Sequence, residues 1–185
     1  MTYLSDAEIL NLLRANLMKI EPFERNLIKP LYVELRLGNK FTTIISTGQS
    51  SIDPSDPKFK IFEEASLTSK HKYTTIDIAD DSTYAIAPGE FVLAVTKEKL
   101  SMPSNYLGIL NARASLGRLG LQIFCSGGFV DPNFSGSIIL EMLNVNRVPI
   151  ILKPGMPIVK LSFEPLKKSV ANQPGLGAFV DSELK

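Results

Sequence analysis

Beyond its N-terminal segment the chain is built from short apolar runs separated by turn residues. Ahead of them, Ser5 stands three positions before Glu8 in the form of a capping box, and Ile9, Leu12, Leu13 and Leu17 follow at helical spacing. This predicts one short N-terminal helix whose apolar stripe packs on a core. From Tyr32 the runs become rich in Val, Ile, Leu, Thr and Phe. Strands are predicted at Tyr32 to Leu37, Phe41 to Ser46, Tyr73 to Ile78, Phe91 to Thr96 and Tyr106 to Asn111. Four more are predicted at Leu121 to Cys125, Ser137 to Asn144, Val148 to Leu152 and Pro157 to Phe163. Pro88-Gly89, Ser135-Gly136 and Pro154-Gly155 supply turn chemistry between them. Ser115 to Leu119 reads as one helical turn, and Thr47 to Lys58 as a polar loop. Many short strands with one helix predict an all-β protein, a β-sandwich or jelly roll. The expected organisation is a single β domain over residues 1–166 and a C-terminal tail over 167–185, where apolar alternation is lost.

Composition narrows the chemistry. The 20 Lys and Arg nearly balance 19 Asp and Glu, so nothing supports a broad polynucleotide-binding surface, while a local cluster for a small anion stays open. Cys125 is the single cysteine, which excludes an intrachain disulfide. The single histidine, His71, lies between Lys70 and Lys72 and is expected in an exposed loop. One His and one Cys cannot build a zinc site of the usual Cys and His type. No signal peptide and no bilayer-spanning apolar run are read, so a cytoplasmic protein is expected.

Three segments carry candidate chemistry. In Asn111 to Gly120, Arg113 and Arg118 flank a small-residue turn that includes Ala114 and Ser115. Guanidinium forks match phosphate geometry, and small residues allow close backbone approach. The same arginines also fit surface or salt-bridge roles. In Ser126 to Gly136, Asp131 follows Val130 and precedes Pro132, which fits either a turn or a hairpin tip whose backbone reads a flat ligand. In Ile138 to Asn144, Glu141 interrupts an apolar strand after Ile139 and Leu140. Burial would suit it to acid–base work, and alternation equally allows a solvent-facing position.

Taken together, the segments resemble the dCTP deaminase/dUTPase superfamily, and its dCTP deaminase branch in particular. The family's Gly-Arg-Ser-Ser-Leu-Ala-Arg-Leu-Gly type motif appears as Ala-Arg-Ala-Ser-Leu-Gly-Arg-Leu-Gly at Ala112 to Gly120. Its Ile-Asp-Pro-Gly-Trp-Ser-Gly motif appears at Val130 to Gly136, and its Leu-Glu-Phe-Tyr-Asn strand at Leu140 to Asn144. Glu34 to Phe41, Lys153 to Met156 and Leu161 to Leu166 also look like family sequence.

The resemblance implies a distorted, dUTPase-like jelly roll and a homotrimer with active sites between subunits. It also implies a triphosphate bound with Mg²⁺ and deamination without zinc. Arg113, Ser115 and Arg118 would hold phosphates, Asp131 would sit at the deoxyribose, and Glu141 would be the general base. Ala114, Val130, Ile139 and Leu140 would complete the substrate contacts, with Lys168 and Gln173 from the tail; Arg118 and Asp131 would join Glu141 in catalysis. Ala114 stands where dCTP deaminases usually carry Ser, and Gly128 where monofunctional deaminases tend to carry His. The aromatic residue expected in the tail is missing. The expected activity is deamination of dCTP to dUTP, continuing to dUMP and pyrophosphate in a bifunctional version. A dUTPase, or a weakly catalytic nucleotide-binding regulator on the same fold, is the alternative.

Overall fold

The computed structural model describes residues 2–46, 71–124 and 128–171. Helix α1 (Asp6–Arg14) opens the fold, and Ser5 and Glu8 form the predicted capping box. Ile9 is fully buried, but α1 ends before Leu17, which is 60% exposed and takes no part in the core. Among the described residues twelve strands follow: β1 (Lys19–Glu21), β2 (Ile28–Lys29), β3 (Tyr32–Ser46), β4 (His71–Asp77), β5 (Tyr84–Ile86) and β6 (Phe91–Ser101). The rest are β7 (Tyr106–Ala112), β8 (Leu121–Phe124), β9 (Phe129–Val130), β10 (Ser135–Asn144), β11 (Ile150–Leu152) and β12 (Pro157–Pro165). A 3₁₀ turn spans Arg25–Leu27, and α2 (Ala114–Arg118) separates β7 from β8.

The all-β expectation holds, with four corrections of detail. The strands predicted on either side of Gly38 are one continuous strand. Its ladder with β6 slips between Leu37 and Phe41, where a Cβ on Gly38 would meet the Val95 carbonyl at 2.9 Å. Close approach of two backbones, rather than a turn, explains that glycine. Ser135-Gly136 begins β10 instead of forming a turn, and Val148 lies outside β11. His71 begins a strand and not a loop. β1, β2, β5 and β9 were not predicted, because two- and three-residue strands are too short to show a period. Cys125, Ser126, Gly127 and Gln173 lie outside the described residues, as does the predicted polar loop Thr47 to Lys58.

The large sheet runs in the order β8-β10-β6-β3-β12-β7-β9, with β1 on β6 and with β2 and β4 on β3; β5 and β11 form a separate pair. Val33, Leu35, Leu37, Phe41, Leu140, Met142, Leu161 and Phe163 meet in one core. Asn144 is wholly buried and hydrogen-bonded to the carbonyls of Ile86 and Val148 through Nδ2, both at 2.9 Å, which ties the small sheet to the large one.

The chain order at the sheet's two ends places the site. β7 leads through α2 to β8 at one end, and β8 leads through 125–128 to β9 at the other. Links this short can join strands at opposite ends of the order only because the sheet curls and its ends approach one another. They carry the first two chemistry-bearing segments, and β10 carries the third beside β8.

Candidate active site

Strand alternation decides how Glu141 is presented. Ile138, Leu140, Met142 and Asn144 are buried, whereas Ile139, Glu141 and Leu143 are half-buried on the opposite face of β10. Of the two positions open to Glu141 in the sequence, the structure selects the open face and not the core. Leu140 is wholly buried, so its side chain cannot touch a ligand from that position, and any contact there falls to its backbone. Glu141 pairs across the sheet with Leu93 on β6 and Phe124 on β8. The β8–β10 ladder covers only Glu141–Asn144, so among the described residues β10 runs on past Glu141 with β8 no longer beside it.

The arginine turn enters at the other end of that ladder. Leu121 pairs with Asn144, three pairs from Glu141, or about 10 Å at the usual rise per strand residue. In α2, Leu116 is buried, while Ala114, Ser115 and Arg118 are exposed. Arg113, at the cap position, is half-buried, and its Nη1 lies 3.2 Å from Glu34 Oε1. Lys29 Nζ approaches the other oxygen of the same carboxylate at 3.7 Å. Asn146 braces the far end of the turn by donating from Nδ2 to the Leu119 carbonyl at 2.8 Å.

The hairpin residues fall into two kinds. Val130 is buried against β7, where a Cβ on Gly108 would come within 2.8 Å of Val130 Cβ; only glycine lets β9 pack so closely there. Asp131 is exposed, and its carbonyl accepts from the Phe134 N–H at 3.1 Å to close a tight turn through Asn133, whose φ is 64°. Gly128 has φ +65° and accepts at its carbonyl from the Leu110 N–H at 2.8 Å. A side chain at that position would be strained. Lys168 is exposed on the segment after β12, whose Val170 N–H donates to the Ser104 carbonyl at 2.9 Å.

The arginine turn, the hairpin and the carboxylate strand thus lie on or between β7, β8, β9 and β10. A family profile described as dCTP deaminase-like matches residues 3–166. The chain belongs to the dCTP deaminase-like family. The dUMP-forming dCTP deaminase of Corynebacterium glutamicum (strain R) is 38% identical to it over 159 residues, covering 86% of this chain and 78% of that protein. The dCTP deaminase of Pseudoalteromonas atlantica is 37% identical over 183 residues, covering 98% of this chain and 89% of that one. The 2'-deoxycytidine 5'-triphosphate deaminase of Agrobacterium tumefaciens shares the fold, with a TM-score of 0.65 at 19% identity over 88% of this chain and 48% of the other.

Within this dCTP deaminase-like chain, Glu34, the carboxylate at Arg113, was not among the candidate residues read from the sequence, because no local pattern ties it to a residue 79 positions away (113 minus 34).

Proposed function

We propose that the chain is a cytoplasmic, homotrimeric dCTP deaminase that converts dCTP to dUTP and continues to dUMP and pyrophosphate. Family membership and the names of the relatives support the substrate. The observation that carries the chemistry is Glu141, a carboxylate on the open face of a strand whose other face is core. In this reading Glu141 takes a proton from a water that adds to C4 of the cytosine ring. It then delivers a proton to the exocyclic amine, which leaves as ammonia while the C4 carbonyl forms. Arg113, Ser115 and Arg118 hold the triphosphate, and Asp131 lies at the deoxyribose. The backbone around Val130, Ala114, Ile139 and Leu140 frames the base. Leu121, which follows the arginine turn, stands about 10 Å along the ladder from Glu141, a spacing that suits a ligand with its base at one end and its phosphates at the other.

Mg²⁺ enters this reading with the triphosphate. Its ligands in this reading are the phosphate oxygens. When bound it neutralises phosphate charge. In this reading Lys168, exposed after β12, adds a cation to the ligand's contacts, and Gln173, outside the described residues, is assigned to the same ligand. None of the described helices is long and apolar enough to cross a membrane. Exposed Leu119 and Val145, at 57% and 54%, adjoin through the Val145 N–H to Gly120 carbonyl bond and are suited to cover by a neighbouring subunit.

Gly128 favours the second step. Its positive φ disfavours the histidine of monofunctional deaminases, and several curated relatives are named dUMP-forming. Ala114, which brings no hydroxyl to the turn, is the observation on the side of a weakly catalytic nucleotide-binding regulator. Incubation with dCTP and with dUTP in Mg²⁺, followed by chromatography, decides among the readings. Ammonia and dUMP from dCTP are expected. Pyrophosphate from dUTP alone would make the chain a dUTPase, and binding without product a regulator. Glu141→Gln is expected to lower ammonia release by roughly 10²–10⁴-fold, and unchanged release would remove Glu141 from its role.

A further inference from the structure

Glu34 is the carboxylate shared by Arg113 and Lys29, at 3.2 Å and 3.7 Å, and its own side chain is only 11% exposed. It projects from β3, between the core positions Val33 and Leu35, on the face where its cross-strand partner is Lys160 of β12. The next residue across that row, paired with Lys160 on the other side, is Asn111 of β7, two positions before Arg113. Lys160 itself reaches over the Tyr32 ring, with Nζ 4.8 Å from the centroid. One nearly buried acid is therefore bordered by three cations on rigid strands or their immediate continuation. Glu34 engages one terminal nitrogen of Arg113, while the side chain keeps 28% of its surface exposed. A guanidinium has five N–H donors, so several remain free to turn toward a ligand.

We propose that Glu34 is a positioning residue that sets Arg113 for the phosphates of the nucleotide, an inference that rests on the deaminase reading. A long, unsupported arginine loses rotamer freedom when it clamps an anion; one already held by a buried carboxylate has lost most of it beforehand. The sign of the effect separates this role from plain charge. Glu34 is negative, so on charge alone its neutralisation would tighten binding of a polyanion. Positioning requires the opposite result.

The test measures steady-state kinetics with dCTP in Mg²⁺ for the wild type, Glu34→Gln, Arg113→Ala and the double variant, with melting temperatures for each. Glu34→Gln is expected to raise KM about tenfold while kcat stays within about threefold, the pattern of lost binding. In the Arg113→Ala background the same change is expected to leave KM unchanged or lower it, because nothing remains to be positioned. A wild-type or lower KM for Glu34→Gln alone overturns the inference, as does an equal rise in both backgrounds. If Glu34→Gln does not fold, Glu34→Asp replaces it. That variant keeps the charge but draws it back from Arg113, so a smaller KM rise is expected and an unchanged KM is fatal. Wild-type protein that neither binds nor converts dCTP would instead remove the deaminase reading itself.

Discussion

Arg36 and Arg113 both meet glutamates of the β sheet, and the two clusters have different consequences. Arg36 donates from Nε to Glu98 Oε1 at 2.6 Å, its backbone N–H donates to Glu98 Oε2 at 2.7 Å, and its Nη1 pairs with Glu24. Glu98 is wholly buried, in the stretch where β6 bulges against β10. Burial alone would depress the Arg36 pKa, but the hydrogen bonds to Glu98 and Glu24 outweigh it and raise the value above the ordinary one. Among the described residues Arg113 has a single carboxylate partner, at 3.2 Å, and remains more than a quarter exposed. A sealed, multiply bonded arginine locks strands together. An arginine held on one side and open on the other can also grip a ligand. Depth and the number of partners separate the two roles; residue type does not.

The comparison can be broken most forcefully at Glu98. Glu98→Gln leaves a buried guanidinium short of its counter-charge and is expected to cost about 3–5 kcal/mol of stability, read by denaturant unfolding. That is a large part of the roughly 5–15 kcal/mol that holds a domain folded. A loss below 1 kcal/mol would show that the Arg36 cluster is not the lock described. At the open end, Arg118→Gln is expected to raise KM for dCTP by about tenfold or more, from loss of charge-assisted bonds, with the melting temperature unmoved because Arg118 is exposed. A fall in melting temperature without a KM change would place Arg118 with the structural arginines.

The smallest effect lies between these extremes, at Tyr84. Its hydroxyl donates to Glu90 at 3.0 Å, and its ring stacks on Phe41 with centroids 4.3 Å apart. Burial, and then the hydrogen bond and charge of Glu90, push its pKa up from 10.0 to about 12. The folded state holds this proton more tightly than the unfolded state. The associated stability is therefore complete below about pH 10 and is lost as the pH rises toward 12. Melting temperatures of wild type and Tyr84→Phe should keep a constant gap up to that point and converge above it. A gap that widens with alkalinity would reverse the assignment.

Much of this could be read along the chain because it is local. The capping box of α1 needs only Ser5 and Glu8, and alternation sorts the β10 residues into two faces once the strand is recognised. The arginine turn, the Asp131 turn and the Glu141 strand are likewise contiguous segments whose order carried the family resemblance. Even so, alternation could not say which face of β10 was core. Nor could it show that the polar face of β3 is enclosed, with Glu34 and Arg36 9% exposed each.

By itself the sequence determined the strand-rich class, the turns and the three segments that carry chemistry, since each depends on residues within a few positions of one another. Only the tertiary structure decided that β8 and β9, consecutive in the chain, would stand at opposite ends of the sheet's strand order. It alone joined Glu98 to Arg36 and Glu34 to Arg113, because those pairings depend on strand order and on a bulge in β6. Contacts of that kind are set by how distant strands stack, and no local period encodes them.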